Sequence, residues 1–261
     1  MSSIAEIFDL GGRVAVVTGA ADGLGFEIGD AFAGAGACVV FSDIDEAKLE
    51  RAVQSVRDRG GDAIAVKCDV TSEAEVETLF AATQSHFGQL DILVNNAGIA
   101  DPEPARIHEY SSENWRKVQA VNLDGIFYCC RQALKLMLPN RSGKIINVAS
   151  MWGLAGASSV FPIPAYNATK GAVVNLTRET ALEYASDNVQ VNALCPGFYR
   201  TGLAGGAYDN PDFVSAITAF TPMGRVAEAS EIRGPAVFLA SSASDYITGI
   251  ALLTDGGCMA K

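Results

Sequence analysis

Positive charge is scarce in this chain: 19 Lys and Arg stand against 30 Asp and Glu over 261 residues, a net charge of −11. No basic face is left for a phosphate backbone, which excludes nucleic acid as a partner, and any anion has to be bound locally. Paired cysteines are missing as well. Cys38, Cys68, Cys129, Cys130, Cys195 and Cys258 are scattered through apolar stretches without zinc-site spacing or the density of a secreted disulfide scaffold. They read as small, buried, reduced residues, and no metal is expected. The chain has no Pro- or Ser-rich linker, no low-complexity tract and no fixed-period repeat. Apolar runs stay short of the roughly 18 residues that a bilayer span requires. Met1 to Arg13 lacks the basic segment and apolar run of a leader. With 49% hydrophobic residues the chain can bury a sizeable core. The expectation is one soluble, cytoplasmic domain over residues 1–261, with no membrane partner.

What is present alternates. Arg13 to Val17 is a β-branched apolar run leading into Thr18-Gly19-Ala20-Ala21-Asp22-Gly23-Leu24-Gly25 and a helix-like stretch through Gly34. Glycines at 19, 23 and 25 permit positive φ and close approach of a ligand, while the opening amides of the next helix can bind a pyrophosphate. A plain strand-to-helix turn uses glycine too, and Asp22 reads equally well as a helix N-cap. The second apolar run, Cys38 to Phe41, ends at Ser42-Asp43. That is about twenty residues after the glycines, where a carboxylate accepts hydrogen bonds from an adenosine ribose and repels a 2′-phosphate. With no Arg or Lys in either stretch, the cofactor reads as NAD rather than NADP.

Asp45 to Arg59 and Ser72 to Phe87 pattern as helices, and Ala63 to Cys68 and Leu90 to Asn95 as strands. The βαβαβ alternation implies an α/β fold of Rossmann type, a doubly wound parallel sheet with helices on both faces and ligands at the carboxyl ends of the strands. Asp69-Val70 and Asn95-Asn96-Ala97-Gly98 fall at such ends. Glu113 to Met137 is a long helical stretch interrupted by Asn122, which could be no more than a satisfied core amide. Lys144 to Val148 is a fifth strand finishing at Ala149-Ser150. Val189 to Leu194 is a sixth, followed by Pro196-Gly197 and a loop-rich region through Pro222. A helix at about Ala229 to Ala240 and a strand near Ala251 to Thr254 close the chain.

Between the fifth and sixth strands lies Tyr166-Asn167-Ala168-Thr169-Lys170. In a helix, residues four apart share a face, so the Lys170 cation can stabilise a Tyr166 phenolate and draw its pKa down from about 10. Taken alone, the pair could equally be a half-exposed Tyr and Lys on the surface.

In this order the motifs resemble the short-chain dehydrogenase/reductase family over essentially the whole chain. The family's Thr-Gly-x-x-x-Gly-x-Gly is Thr18 to Gly25, its Asn-Asn-Ala-Gly is Asn95 to Gly98, and its Pro-Gly with a following threonine is Pro196, Gly197 and Thr201. The resemblance implies a seven-stranded sheet, a catalytic set of Asn122, Ser150, Tyr166 and Lys170, and an NAD-dependent hydride transfer at an alcohol carbon. It further implies that Lys170 holds the nicotinamide ribose, Thr201 the carboxamide side, and Asn122 a water that connects Lys170 to solvent. Homotetramers are usual in the family. One departure is a Ser150 to Tyr166 interval about three residues longer than in many members, expected to enlarge the substrate loop without displacing the pair.

Substrate specificity is expected from 151–164 and 198–222, which overhang the strand ends. Tyr166 to Leu176 and Thr221 to Gly257 look most like gluconate 5-dehydrogenase and related sugar-acid dehydrogenases. A sugar, polyol, sugar acid or sulfosugar is therefore the expected substrate. Trp152 could lie along its ring and Arg200 could pair with its carboxylate or sulfonate, although the first could simply pack the loop and the second be a solvated charge. His108 reads as a surface residue. Phe161, Pro162, Pro164 and Phe198 could instead shape an apolar pocket for a cyclic alcohol or hydroxysteroid. A 3-oxoacyl carrier-protein reductase fits less well, since an acidic chain would have to dock an acidic partner. A non-catalytic NAD-binding scaffold fits poorly with four catalytic residues in place.

Overall fold

The computed structural model describes residues 3–158 and 160–260. After a short helix, α1 (Ile4–Ile7), β1 (Val14–Thr18) runs into α2 (Gly23–Gly34). Alternation continues through β2 (Cys38–Asp43), α3 (Glu46–Arg57), β3 (Ala63–Lys67), α4 (Glu73–Phe87) and β4 (Ile92–Asn95). The second half holds α5 (Ser112–Gln119), α6 (Gly125–Met137), β5 (Gly143–Val148), α7 (Pro164–Tyr184) and β6 (Val189–Pro196). It closes with β7 (Tyr199–Arg200), α8 (Pro211–Phe220), β8 (Ala227–Glu228), α9 (Arg233–Ala240) and β9 (Ala251–Thr254).

Seven strands form one parallel sheet in the order β3-β2-β1-β4-β5-β6-β9. Their near-continuous apolar sequences follow from burial on both faces. Val16, Val40, Leu93, Ile145 and Val191 face one helical layer with Leu79 of α4, Cys129 of α6 and Val173 of α7. Their chain neighbours Ala15, Val17, Val39, Ile92, Val94 and Ile146 face the other, with Ile28 and Phe32 of α2, Val53 of α3 and Leu239 of α9. The strand order reverses between β1 and β4, so the helices that follow these two strands lie on opposite faces of the sheet and leave a crevice at the strands' carboxyl ends.

One expectation needs correction and one is made specific. The region between Pro196 and Pro222 is not merely loop: α8 forms there, started by Pro211 and capped by the Asn210 side chain on the amides of Asp212 and Phe213. A separate parallel pair, β7 with β8, ties Tyr199 to Ala227 and Arg200 to Glu228. The interruption expected at Asn122 is a π-helical turn, Ala120–Asp124, between α5 and α6. Among the described residues no helix is long and apolar enough to cross a membrane.

Candidate active site

The glycine turn is built for close approach. Gly19 has φ of +62° and Gly23 of +56°. A Cβ on Gly25 would lie 2.1 Å from the Gly19 carbonyl oxygen and 2.4 Å from Asn96 Nδ2. The Asn96 amide donates to the carbonyls of Thr18 (3.0 Å) and Gly19 (2.9 Å), while Thr18 Oγ1 accepts from the amides of Asn96 and Ala97, both at 3.1 Å. The loops after β1 and β4 are thus one hydrogen-bonded unit. The sequence shows Thr18 as the first residue of the glycine motif but not its bonds to the loop after β4, which join residues 78 and 79 positions apart.

Asp22 is the N-cap of α2, accepting from the Gly23 amide at 2.7 Å. With Gly23, Thr201 and Gly202 it borders a cavity of about 270 Å³, so the glycine turn and the segment after β6 meet as expected. Leu24 packs under the turn. Asp43, at the end of β2, accepts from the amides of Ala21 (3.1 Å) and Asp45 (3.0 Å) and so stands beside the glycine turn. Asp69 is folded onto its own loop through Thr71, and Val70 is buried against Gly125. Pro196 ends β6, and Gly197 packs so closely that a Cβ would meet the Asp255 backbone at 2.6 Å.

The four residues expected to carry the chemistry converge from separate elements. Ser150 follows β5, and its hydroxyl meets that of Tyr166 in the first turn of α7. Lys170, one turn on and 3% exposed, donates to the Val148 carbonyl at 2.7 Å, with its ammonium 5.6 Å from the Tyr166 ring centre. Asn122 is fully buried, its Oδ1 accepting from the Ile99 amide (2.8 Å) and its Nδ2 donating to the Ile99 carbonyl (2.9 Å). Gly98 stands beside both: a methyl there would lie 3.4 Å from Asn122 Oδ1 and 3.5 Å from Lys170 Nζ, in ordinary contact. The longer Ser150 to Tyr166 interval does not separate the pair. Asn167 clamps it to α7, donating to the carbonyls of Trp152 and Ala155 and accepting from the Ala157 amide.

Burial governs the charges here. It lowers the Lys170 ammonium to about 8, with the Cys195 thiol pulling weakly the other way. The Tyr166 phenol is raised, first by burial, against the acidifying hydrogen bond from Ser150; the charges of Cys195 and Asp101 push it further up. The expected lowering by Lys170 is therefore not achieved by the polypeptide alone, because a desolvated ammonium that itself titrates near 8 is a weakened neighbour.

Trp152 and Arg200 do not meet around a common space. Trp152 is 5% exposed and sits among Phe161, Phe198 and Phe220 at ring separations of 5.7 to 6.3 Å. It packs the loop instead of offering a face to a sugar. Strand alternation in β7 buries Tyr199 and turns Arg200 outward, toward Glu228 (3.6 Å), the Tyr208 ring and the cavity beside Asp22. His108 is exposed beside Glu109.

A family model described as Enoyl-(Acyl carrier protein) reductase matches residues 19–259. The chain is 41% identical to galactitol 2-dehydrogenase (L-tagatose-forming) of Cereibacter sphaeroides, with 96% of each chain covered. It belongs to the short-chain dehydrogenase/reductase family. Another member, cis-4-hydroxycyclohexanecarboxylate dehydrogenase of Sinomonas cyclohexanicum, is 40% identical over 94% of this chain and 96% of its own. Among solved members, a putative gluconate dehydrogenase from Agrobacterium tumefaciens superposes with a TM-score of 0.93 at 39% identity, covering 98% of this chain and 99% of that one. A gluconate 5-dehydrogenase from Burkholderia cenocepacia, in complex with NADP and tartrate, gives 0.93 at 34% identity, covering 99% and 100%.

Proposed function

We propose that the protein is an NAD-dependent dehydrogenase of a secondary hydroxyl on a sugar, polyol or anionic sugar acid. The observation that carries this reading is the convergence of Tyr166, Ser150, Lys170 and Asn122 at the carboxyl ends of β4 and β5, beside a glycine cradle suited to a dinucleotide. The amides opening α2 suit the pyrophosphate, Asp43 the adenosine ribose, Lys170 the nicotinamide ribose and Thr201 the carboxamide side. When bound, NAD supplies the hydride acceptor.

The remaining chemistry belongs to the chain. Ser150 donates to the substrate oxygen and aligns the carbinol carbon. Tyr166 takes the hydroxyl proton, acting as general base once local positive charge has favoured its phenolate. Lys170 holds that charge beside the ring. Asn122, fully buried in the π turn with its side chain on the Ile99 backbone, anchors the water through which Lys170 reaches solvent.

NAD preference rests on Asp43, a carboxylate at the end of β2 beside the glycine turn that would repel a 2′-phosphate. Replacing it with alanine is expected to raise the NADP-to-NAD ratio of kcat/KM by at least about tenfold, a loss of roughly 1.4 kcal/mol of discrimination. A ratio equal to that of the parent would remove Asp43 as the discriminator.

A second reading, a dehydrogenase of hydrophobic cyclic alcohols, draws support from the aromatic cluster around Trp152 and from the likeness to the Sinomonas enzyme. Initial rates with alditols, aldonates, sulfosugars, hydroxycyclohexanecarboxylates and hydroxysteroids separate the two. Turnover of the polar panel is the expected result, and activity confined to the cyclic alcohols would replace the first reading with the second. A cytoplasmic homotetramer completes the proposal, supported by exposed apolar side chains on Phe127, Leu182 and Tyr246.

A further inference from the structure

We propose that Asp101, in the loop after β4, is the positioning residue for Tyr166: it caps α7 from outside the helix and fixes where the phenol stands. This inference rests on the reaction proposed above. Helix α7 has no cap of its own. Its N-cap position is Ile163, whose side chain accepts no hydrogen bond, and its first residue, Pro164, has no N–H. The Asn167 amide is already bonded to the Ile163 carbonyl at 3.0 Å. Two opening amides are left over, those of Ala165 and Tyr166.

Asp101 takes both. Its Oδ1 accepts from Ala165 N at 3.3 Å and its Oδ2 from Tyr166 N at 2.8 Å. Asp101 is 5% exposed and Ala165 1%, so solvent cannot readily replace these bonds. The carboxylate also lies at the positive end of a 21-residue helix, where negative charge is favoured. Asp101 lies three residues beyond Gly98, the glycine that contacts Asn122 and Lys170. One short loop therefore fixes both the floor of the crevice and the backbone of Tyr166. No local signature announces the role, because cap and helix are 64 residues apart.

Asp101 also acts on Tyr166 by charge. Besides Asp101, the phenol faces Lys170 on its own helix, Ser150 after β5, Cys195 on β6 and Tyr208 after β7. Asp101 is the carboxylate of this group and opposes formation of the phenolate. Tyr110, half-buried beside Asp101, is itself raised by burial and by the Asp101 carboxylate.

Asp101→Ala, Asp101→Asn and Tyr166→Phe, assayed with NAD and a turned-over alcohol, separate the possibilities. Asp101→Ala is expected to lower kcat by about ten- to a hundredfold, as small misplacements of reacting groups do, with NAD affinity within about twofold of the parent. Asp101→Asn keeps an oxygen for the Tyr166 amide and recovers most of that kcat. With the negative charge gone, its alkaline-rising limb for oxidation moves to lower pH. An Asp101→Ala protein with parental kcat and pH profile would overturn the proposal. So would a deficit fully accounted for by a smaller folded fraction, measured by active-site titration. Should Tyr166→Phe retain turnover, the proposed reaction fails; should that variant be dead while the Asp101 variants match the parent, only the role of Asp101 fails.

Discussion

Tyr166→Phe is expected to lower kcat for alcohol oxidation by on the order of a thousandfold, the range for loss of a general base, and to leave NAD affinity within about twofold of the parent. The substitution removes one oxygen and little else. The ring remains packed in the aromatic cluster with Trp152 and Phe198, and α7 keeps its outside cap from Asp101. Ser150 keeps the bond from the Trp152 amide at 3.1 Å that fixes its orientation. Only the group that accepts the substrate proton is gone, which is why rate and affinity are expected to part. Oxidation by the parent is expected to quicken as pH rises through the coupled titration of Tyr166 and Lys170, the latter held at about 8 by burial. Reduction draws on the same proton and should slow over the same range. Parental kcat in Tyr166→Phe, measured from NADH absorbance, would remove the tyrosine from the mechanism.

Gly25→Ala is expected to damage the protein at a second point. Its Cβ would lie 2.1 Å from the Gly19 oxygen and 2.8 Å from the Gly19 carbonyl carbon, so backbone has to move. Asn96 Nδ2, 2.4 Å away, would be displaced from its two carbonyl acceptors, uncoupling the loops after β1 and β4. Overpacking of this kind costs about 1–3 kcal/mol or more. Spread over the phosphate cradle, about 3 kcal/mol corresponds to roughly a hundredfold weaker NAD binding. Gly34→Ala is the matched control, since it lies in the same helix, has no positive φ and would meet nothing within 4 Å. Its melting temperature should stay level or rise, as Ala is the better helix former. A Gly25→Ala protein with parental melting temperature and NAD affinity would contradict the packing account.

The central strands were legible because they are buried on both faces, leaving sequences such as Val14-Ala15-Val16-Val17 that admit little else. Helix ends were legible to within a few residues wherever a cap is local, as at Ser72, which accepts from the Glu75 amide. The four central residues were legible through the resemblance to the family, and the fold brings them together. What escaped the reading depends on contacts distant in sequence. Asp101 caps a helix far along the chain, and β7 and β8 are two residues each, too short to show a period. Helix α8 carried a readable start in Asn210-Pro211 but followed a stretch rich in glycine and turns. Trp152 and Arg200 were sound choices by chemistry. Their directions are set by the aromatic cluster and by strand alternation, neither of which composition reveals.

The most direct test follows one deuterium atom. Polyols, aldonates and hydroxycyclohexanecarboxylates carrying deuterium at the carbinol carbon are incubated with the enzyme and NAD, and the nicotinamide is examined by NMR. Transfer of the label from a polyol or aldonate to C4 of the nicotinamide ring, lost in Tyr166→Phe, is the predicted result. Absence of label from every alcohol, or label appearing in NADP alone, would contradict the account of an NAD-dependent dehydrogenase acting through Tyr166.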